Sequence, residues 1–122
     1  MAHPNKRKGN RAELLVAKWL QRCGWIHAER SRAGWTDDRG DIDGMPGVCI
    51  EVKAEKKIDI PGYLRELEVE IENAKAWTGA VIIKRRGSTN VDDWYAVMPA
   101  KVWGELMVML DQPNGNPATP LN

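Results

Sequence analysis

The segment RGDIDGMPGVCIEVKAEKK, residues 39–57, carries the residue types most suited to chemistry. Its composition predicts two short strands, about 41–45 and 48–54, with Pro46-Gly47 as a tight turn between them. Because side chains alternate between the two faces of a strand, every second residue would enter a core. The remaining residues share the other face, which is therefore predicted to carry four charged side chains: Asp41, Asp43, Glu51 and Lys53.

Acids and a lysine in a strand that is otherwise apolar are costly unless they are paired or bind a metal. Carboxylate oxygens suit a hard cation such as Mg²⁺, and a lysine beside them can hold a phosphate or a hydroxide. Glu13, at the start of a predicted helix, is a further acid that can approach this face. The alternatives are an exposed hairpin face with a Glu–Lys pair, and a Glu13 that only stabilises the helix dipole.

Other metal chemistry is not supported by the sequence. Cys23 and Cys49 are too few and too far apart for a zinc site or a disulfide framework, and His3 and His27 are isolated. Cys49 lies in an apolar run and is interpreted as a small buried hydrophobic residue.

The elements that must position the charged face follow from the periodicity of apolar residues and from helix and turn signals. They are a helix over 9–22, strands over 25–29, 41–45 and 48–54, a helix that starts at Asp59-Pro61 and ends at Gly79, strands over 80–84 and 94–98, and a helix over 100–110. The strand–helix–strand unit from 48 to 84 predicts a parallel, right-handed crossover. The glutamates of the second helix, Glu66, Glu68, Glu70 and Glu72, are expected mainly on its outer face.

Length and composition restrict the possibilities further. The chain has 122 residues and a net charge of +1, which fits one domain over 1–111, with a flexible basic arm at 1–7 and a disordered proline-rich tail at 112–122. The sequence shows no membrane span and no secretory signal, so a cytoplasmic protein without membrane partners is expected. Residues 1–40 hold nine basic and four acidic residues, whereas 59–72 hold five acidic and one basic. Such a dipolar surface can hold a polyanion on one side.

Two motifs together resemble a nuclease family. Gly-Asp-Ile, a short turn and Ile-Glu-Val-Lys (residues 40–53) resemble the PD-(D/E)XK nuclease motif. The N-terminal KGNRAELLVAKWL, followed by a Gly-aromatic strand and an Arg-Ser loop, is similar to the archaeal-type Holliday junction resolvases and their phage relatives. In those proteins a Lys/Arg-Gly-x-x-x-Glu helix precedes the aspartate and the Glu-x-Lys. The resemblance covers about residues 6–100.

The resemblance implies an α/β, restriction-endonuclease-like fold: a mixed sheet flanked by helices in the order α-β-β-β-α-β-β-α. It implies Asp41, Glu51 and the Val52 carbonyl as ligands of Mg²⁺, for which Mn²⁺ substitutes. Lys53 would orient or activate the attacking water, and Glu13 would hold a water at the metal or a second metal. Asp41 is preferred to Asp43 because Gly-Asp-Ile matches the motif better, although Gly40 replaces a proline of the motif that many members also lack.

The function implied is a structure-selective endodeoxyribonuclease, most simply a homodimeric resolvase of four-way DNA junctions, in the host cytoplasm if phage-encoded. DNA contacts are expected from nine side chains: Lys8, Arg11, Arg30, Ser31, Arg32, Lys56, Lys57, Arg85 and Arg86. The alternatives are a repair, flap or restriction-like nuclease of the same chemistry, and a junction-binding module without catalysis.

Overall fold

This computed structural model describes residues 4–32 and 38–112, and only the backbone of residues 4–8. The elements in chain order are α1 (Pro4–Cys23), β1 (Glu29–Arg30), β2 (Ile42–Asp43), β3 (Val48–Lys53), α2 (Ile60–Ala74), β4 (Thr78–Ile83), a short 3₁₀ helix (Val91–Asp93), β5 (Tyr95–Val97) and α3 (Ala100–Leu110). None of these helices combines the length and the apolar character that a bilayer span requires.

The larger sheet has three strands in the order β3-β4-β5. β3 and β4 run parallel in a register that pairs Val48 with Thr78 and Lys53 with Ile83, while β5 is antiparallel to β4. The predicted parallel strand–helix–strand unit is therefore confirmed, with α2 as the connection. The architecture is a mixed α/β arrangement in which helices flank a small mixed sheet.

The sheet separates two apolar cores, as the alternation along β3 predicts. Ile50 and Val52 belong to the core that α1 covers, with Val16 at its centre, whereas Cys49 belongs to the core that α2 covers, with Leu67. The face of β3 that carries Glu51 is thus not open to solvent, because α2 lies over it. Glu51 is only 5% exposed.

The start of α2 agrees with the sequence, but its end does not. Asp59 is the N-cap, and its side chain accepts a hydrogen bond from the Gly62 backbone N–H at 3.1 Å. The helix stops at Lys75, which adopts a left-handed conformation (φ 54°), and not at Gly79, which lies inside β4. The reason is tertiary: the carbonyl oxygen of Gly47, just before β3, accepts hydrogen bonds from the N–H groups of residues 77 and 78 and so starts β4 early.

Two other predictions of the element boundaries were wrong. α1 begins at Pro4, so residues 4–7 of the predicted flexible arm belong to the helix; residues 1–3 and 113–122 of the predicted arm and tail lie outside the described parts of the chain. The predicted strand over 25–29 is a turn, closed by a hydrogen bond from the Ala28 N–H to the Trp25 carbonyl, and extended pairing starts only at Glu29.

The predicted hairpin is present as a turn but not as a ladder. The Val48 N–H donates to the Met45 carbonyl at 3.0 Å and the Asp41 N–H donates to the Ile50 carbonyl at 2.8 Å. β2, however, pairs with β1 in a separate two-stranded sheet, where Asp43 lies opposite Glu29. The two predicted strands therefore share only these two backbone hydrogen bonds in the described chain and form no continuous ladder.

The packing of α2 on the sheet predicts a clear contrast between two of its apolar residues. Leu67 is 1% exposed and Val69 is 57% exposed. Leu67→Ala should lower the free energy of unfolding by about 2–5 kcal/mol, because it leaves a cavity in the α2 core. Val69→Ala should change it by less than about 0.5 kcal/mol. Urea denaturation measures both, and equal effects of the two substitutions would contradict this packing.

Candidate functional site

A cleft of about 800 Å³ opens beside the C-terminal half of β3. Its walls come from α1, the loop before β2, β3 with the residues after it, and α2. The residues that line it are Gly9, Glu13, Asp38, Asp41, Glu51, Val52, Lys53, Ala54, Glu55, Lys56 and Glu66. The structure therefore brings the predicted Glu13, Asp41, Glu51 and Lys53 to one cleft, together with acids that the motif did not include.

Backbone contacts fix Asp41 at the floor of this cleft. Gly40, just before it, has φ +95°, and a Cβ at this position would lie 2.9 Å from the Ile50 carbonyl oxygen. This close approach allows the Asp41 N–H to donate to that carbonyl at 2.8 Å. The Asp41 side chain in turn accepts a hydrogen bond from the Val52 N–H, with Oδ2 2.8 Å from the nitrogen. Asp41 is thus attached at two points to the strand that carries Glu51.

Asp43, the other candidate in the motif, lies elsewhere. It lines a separate cleft of about 280 Å³ with Met45 and Ala74. The preference for Asp41 that the motif suggested agrees with this placement, since Asp41 alone of the two lines the larger cleft.

Lys53 is held in the cleft by two contacts. Its Nζ lies 2.8 Å from Oε2 of Glu66 on α2 and 5.1 Å from the ring centroid of Tyr63. Burial alone would lower the pKa of Lys53, but the hydrogen bond to Glu66 and the nearby acidic side chains outweigh it and raise this pKa. Lys53 therefore keeps its positive charge at the edge of an acidic site.

Glu13 reaches the cleft from α1. Its Oε1 lies 3.4 Å from Nε of Arg30 in a half-buried ion pair. Burial and the neighbouring Asp41 charge raise the pKa of Glu13, and Arg30 only partly offsets them. Glu13 and Asp41 are thus electrostatically coupled although they come from distant parts of the chain.

The most unusual feature of the site is a cluster of carboxyl groups between β3 and α2. One carboxylate oxygen from each of Asp38, Glu51 and Glu70 lies within 4.8 Å of the other two. Desolvation raises the pKa of Glu51 far above its ordinary value, and the adjacent carboxyl groups of Asp41 and Glu70 raise it further. Desolvation and the nearby Asp38 raise the pKa of Glu70 to about 7. In the absence of a cation, burial and the adjacent carboxyl groups thus favour the protonated form of Glu51.

The expectation that the glutamates of α2 lie on its outer face was wrong for Glu70, which is 1% exposed. Neither of its carboxyl oxygens accepts a hydrogen bond from any residue in the described ranges. The signal was in the spacing, since Tyr63, Leu67 and Glu70 lie four and three residues apart on the buried stripe of the helix. Because glutamate is polar, Glu70 was expected on the outer face of the helix despite this spacing.

The predicted DNA contacts are spread around the cleft and not gathered in it. Lys56 lines the cleft and also a neighbouring one of about 400 Å³ that contains Arg86. Arg30 and Arg32 are engaged with Glu13 and Glu29, the latter pair at 3.8 Å. The remaining positions differ in exposure: Arg11, Lys57 and Arg85 are exposed, Ser31 is half-buried, and the side chain of Lys8 lies outside what the structure describes.

No family model, no curated protein and no solved structure matches this chain. Any function proposed for it therefore depends on the chemistry of its own residues. The donor set fits a hard divalent cation, because the carboxylates that line the cleft offer oxygen ligands.

The raised pKa of Glu70 predicts a pH-dependent stability when cations are removed by a chelator. Between its ordinary value of 4.5 and about 7, the native state binds more protons than the unfolded state. The free energy of unfolding should therefore fall as the pH rises through this window, by at most about 1.4 kcal/mol per pH unit for one proton. Glu70→Gln should flatten this slope between pH 5 and 7. Urea denaturation at several pH values measures the slope.

Glu68→Gln is the matched control, since Glu68 is exposed on the same helix. Glu68→Gln should leave the slope of the unfolding free energy against pH equal to that of the unmodified protein. A Glu70→Gln protein whose slope equals that of the control would contradict the raised pKa.

Proposed function

We propose that this protein is a Mg²⁺-dependent endodeoxyribonuclease that cuts branched DNA, most simply four-way junctions. The observation that carries the proposal is the convergence of Glu13, Asp41, Glu51 and Lys53 on one cleft from three separate elements. An acid–acid–lysine set in this order is the arrangement that the PD-(D/E)XK resemblance implies. We propose accordingly that the mixed sheet and its helices form a restriction-endonuclease-like fold.

Asp41, Glu51 and the Val52 carbonyl are the groups proposed to hold Mg²⁺, with Glu13 beside them. When bound, Mg²⁺ supplies a nucleophile at neutral pH and neutralises the charge that grows on the phosphoryl oxygens during phosphodiester hydrolysis. Asp41 contributes a fixed oxygen, because the Val52 N–H holds its other side. Lys53 contributes a positive charge next to Glu51, where it can orient a water or contact the phosphate. The resemblance implies products with 5′-phosphate and 3′-hydroxyl ends.

The charge of the cleft argues against a passive DNA-binding module. Six carboxylate residues line it, against the two lysines Lys53 and Lys56. Such a cleft repels a phosphate backbone unless cations are bound. In a protein that only binds DNA, these carboxylates would therefore weaken the affinity for DNA. The exposed basic residues outside the cleft are proposed to contact the DNA backbone.

A homodimer is proposed through α3. None of its eleven residues is buried against the rest of the described chain, although the helix is rich in apolar side chains. Trp103 and Val108 are 57% and 61% exposed. A second copy of the same helix would cover this surface symmetrically and give two active sites, as paired nicks across a four-way junction require.

Substitutions in the cleft test the catalytic proposal. Asp41→Asn, Glu51→Gln and Lys53→Ala should each reduce Mg²⁺-dependent cleavage of a synthetic four-way junction by at least about 100-fold, since each removes a charge worth several kcal/mol in the transition state. Asp43→Asn, in the separate cleft, should keep near-normal cleavage. Junction binding, measured by gel shift in Ca²⁺, should be retained by all four variants.

Full activity in any of the three cleft variants would contradict the assignment. Cleavage of a flap and of a plain duplex under the same conditions separates the alternatives within the same chemistry. A preference for either over the four-way junction would make this protein a repair, flap or restriction-like nuclease. If no divalent metal supports cleavage of any of these substrates, the protein would be a junction-binding module without catalysis.

The dimer proposal predicts a change of mass. Trp103→Asp should convert the dimer to a monomer in sedimentation-velocity experiments, because it places a charge in the apolar interface. Trp77→Asp is the control, since Trp77 is equally exposed, at 57%, but lies outside α3. A wild-type protein that sediments as a monomer at micromolar concentration would refute the α3 interface.

A further inference from the structure

We propose that Asp38, Glu51 and Glu70 bind a second divalent cation, adjacent to the one proposed at Asp41 and sharing Glu51 with it. The inference builds on the proposed nuclease function only in that Glu51 is common to both sites. Asp38 and Glu70 belong to neither recognised motif and were not candidates from the sequence.

The spacing of the three carboxylates fits one ion. Their ligand oxygens lie within 4.8 Å of one another. A cation with oxygen ligands at about 2.1 Å (Mg²⁺) to about 2.6 Å (Ca²⁺) spans oxygen pairs up to roughly 4.2 to 5.2 Å apart. The three groups are therefore already at the separation that a single hard cation bridges, with small adjustments for the smaller ion.

Glu70 supplies an observation that does not depend on the clustering. It is almost completely buried, its carboxyl group is directed into the cluster, and neither oxygen accepts a hydrogen bond from a described residue. A buried carboxyl without a donor costs about 1–3 kcal/mol or more. A cation between Glu70 and its neighbours would satisfy these oxygens and neutralise the charge that the cluster accumulates.

The surroundings hold the ligands in place from two sides. The Gly40 N–H donates to Oδ1 of Asp38 at 3.1 Å, which leaves Oδ2 for an ion. Asn73, one helical turn after Glu70 on α2, donates from Nδ2 to the Asp38 carbonyl at 2.9 Å. The loop before β2 is thus attached to α2 next to Glu70. Since Asp38 is exposed, water can complete the coordination of a cation such as Mg²⁺.

The test counts bound ions without DNA. Mn²⁺ is added to the full chain, and the free ion is measured by its EPR signal. We expect two ions per chain for the unmodified protein and for Glu68→Gln, the exposed control on α2. Glu70→Gln and Asp38→Asn should each bind one ion, with the affinity of the second reduced at least about tenfold. Asp41→Asn should also retain one ion, bound at Asp38, Glu51 and Glu70.

A second measurement separates ligation from folding. Without metal, Glu70→Gln should unfold at a temperature equal to or above that of the unmodified protein, because an amide can donate to the neighbouring carboxylates. Mg²⁺ should raise the unfolding temperature of Glu70→Gln by less than it raises that of Glu68→Gln. If Glu70→Gln fails to fold, Asp38→Asn decides the matter, since its side chain is exposed.

Equal Mn²⁺ binding by the unmodified protein, Glu70→Gln and Asp38→Asn would overturn the second site. This outcome is independent of the nuclease proposal, because junction cleavage is measured separately. Loss of one ion in both variants, in a protein that cuts no branched DNA, would support the cation site and refute the nuclease. Normal junction cleavage by the unmodified protein, with Mn²⁺ binding unchanged in both variants, would support the nuclease and refute the second cation site.

Discussion

The carboxyl group of Glu51 lies between those of Asp41 and Glu70, within a layer that is otherwise apolar. The cleft is therefore stabilised by protons, by Lys53 at its edge, or by cations. Each of these depends on the same packing of α2 against β3.

The parallel pairing of β3 with β4 is what creates this packing. Parallel neighbours need a crossover, and the crossover here is α2, which returns the chain across the face that carries Glu51. One side of α2 inserts Leu67 into the apolar core, and the next turn of the same stripe inserts Glu70 beside Glu51. The helix thus completes the hydrophobic core and the acidic site with adjacent residues.

The loop before β2 joins the same unit. Gly40 permits the close approach to Ile50 that fixes Asp41, and Asn73 fixes the Asp38 carbonyl from α2. The acids of the cleft come from four chain segments, and hydrogen bonds join the loop before β2 to both β3 and α2. Acids held in this way would need little rearrangement to receive an ion such as the proposed Mg²⁺.

The sequence by itself determined most of the element types, the alternation along β3, the Asp59 cap and four of the charged residues that line the cleft, Glu13, Asp41, Glu51 and Lys53. These depend on local periodicity and on local hydrogen bonds, which neighbouring residues specify. The boundaries at Gly79 and over 25–29, and the separation of Asp43 from Asp41, depended on pairing between distant segments. Only the tertiary structure placed Glu70 inside, because its burial depends on which face of α2 meets the sheet, and a glutamate on that stripe is polar enough to suggest the opposite face.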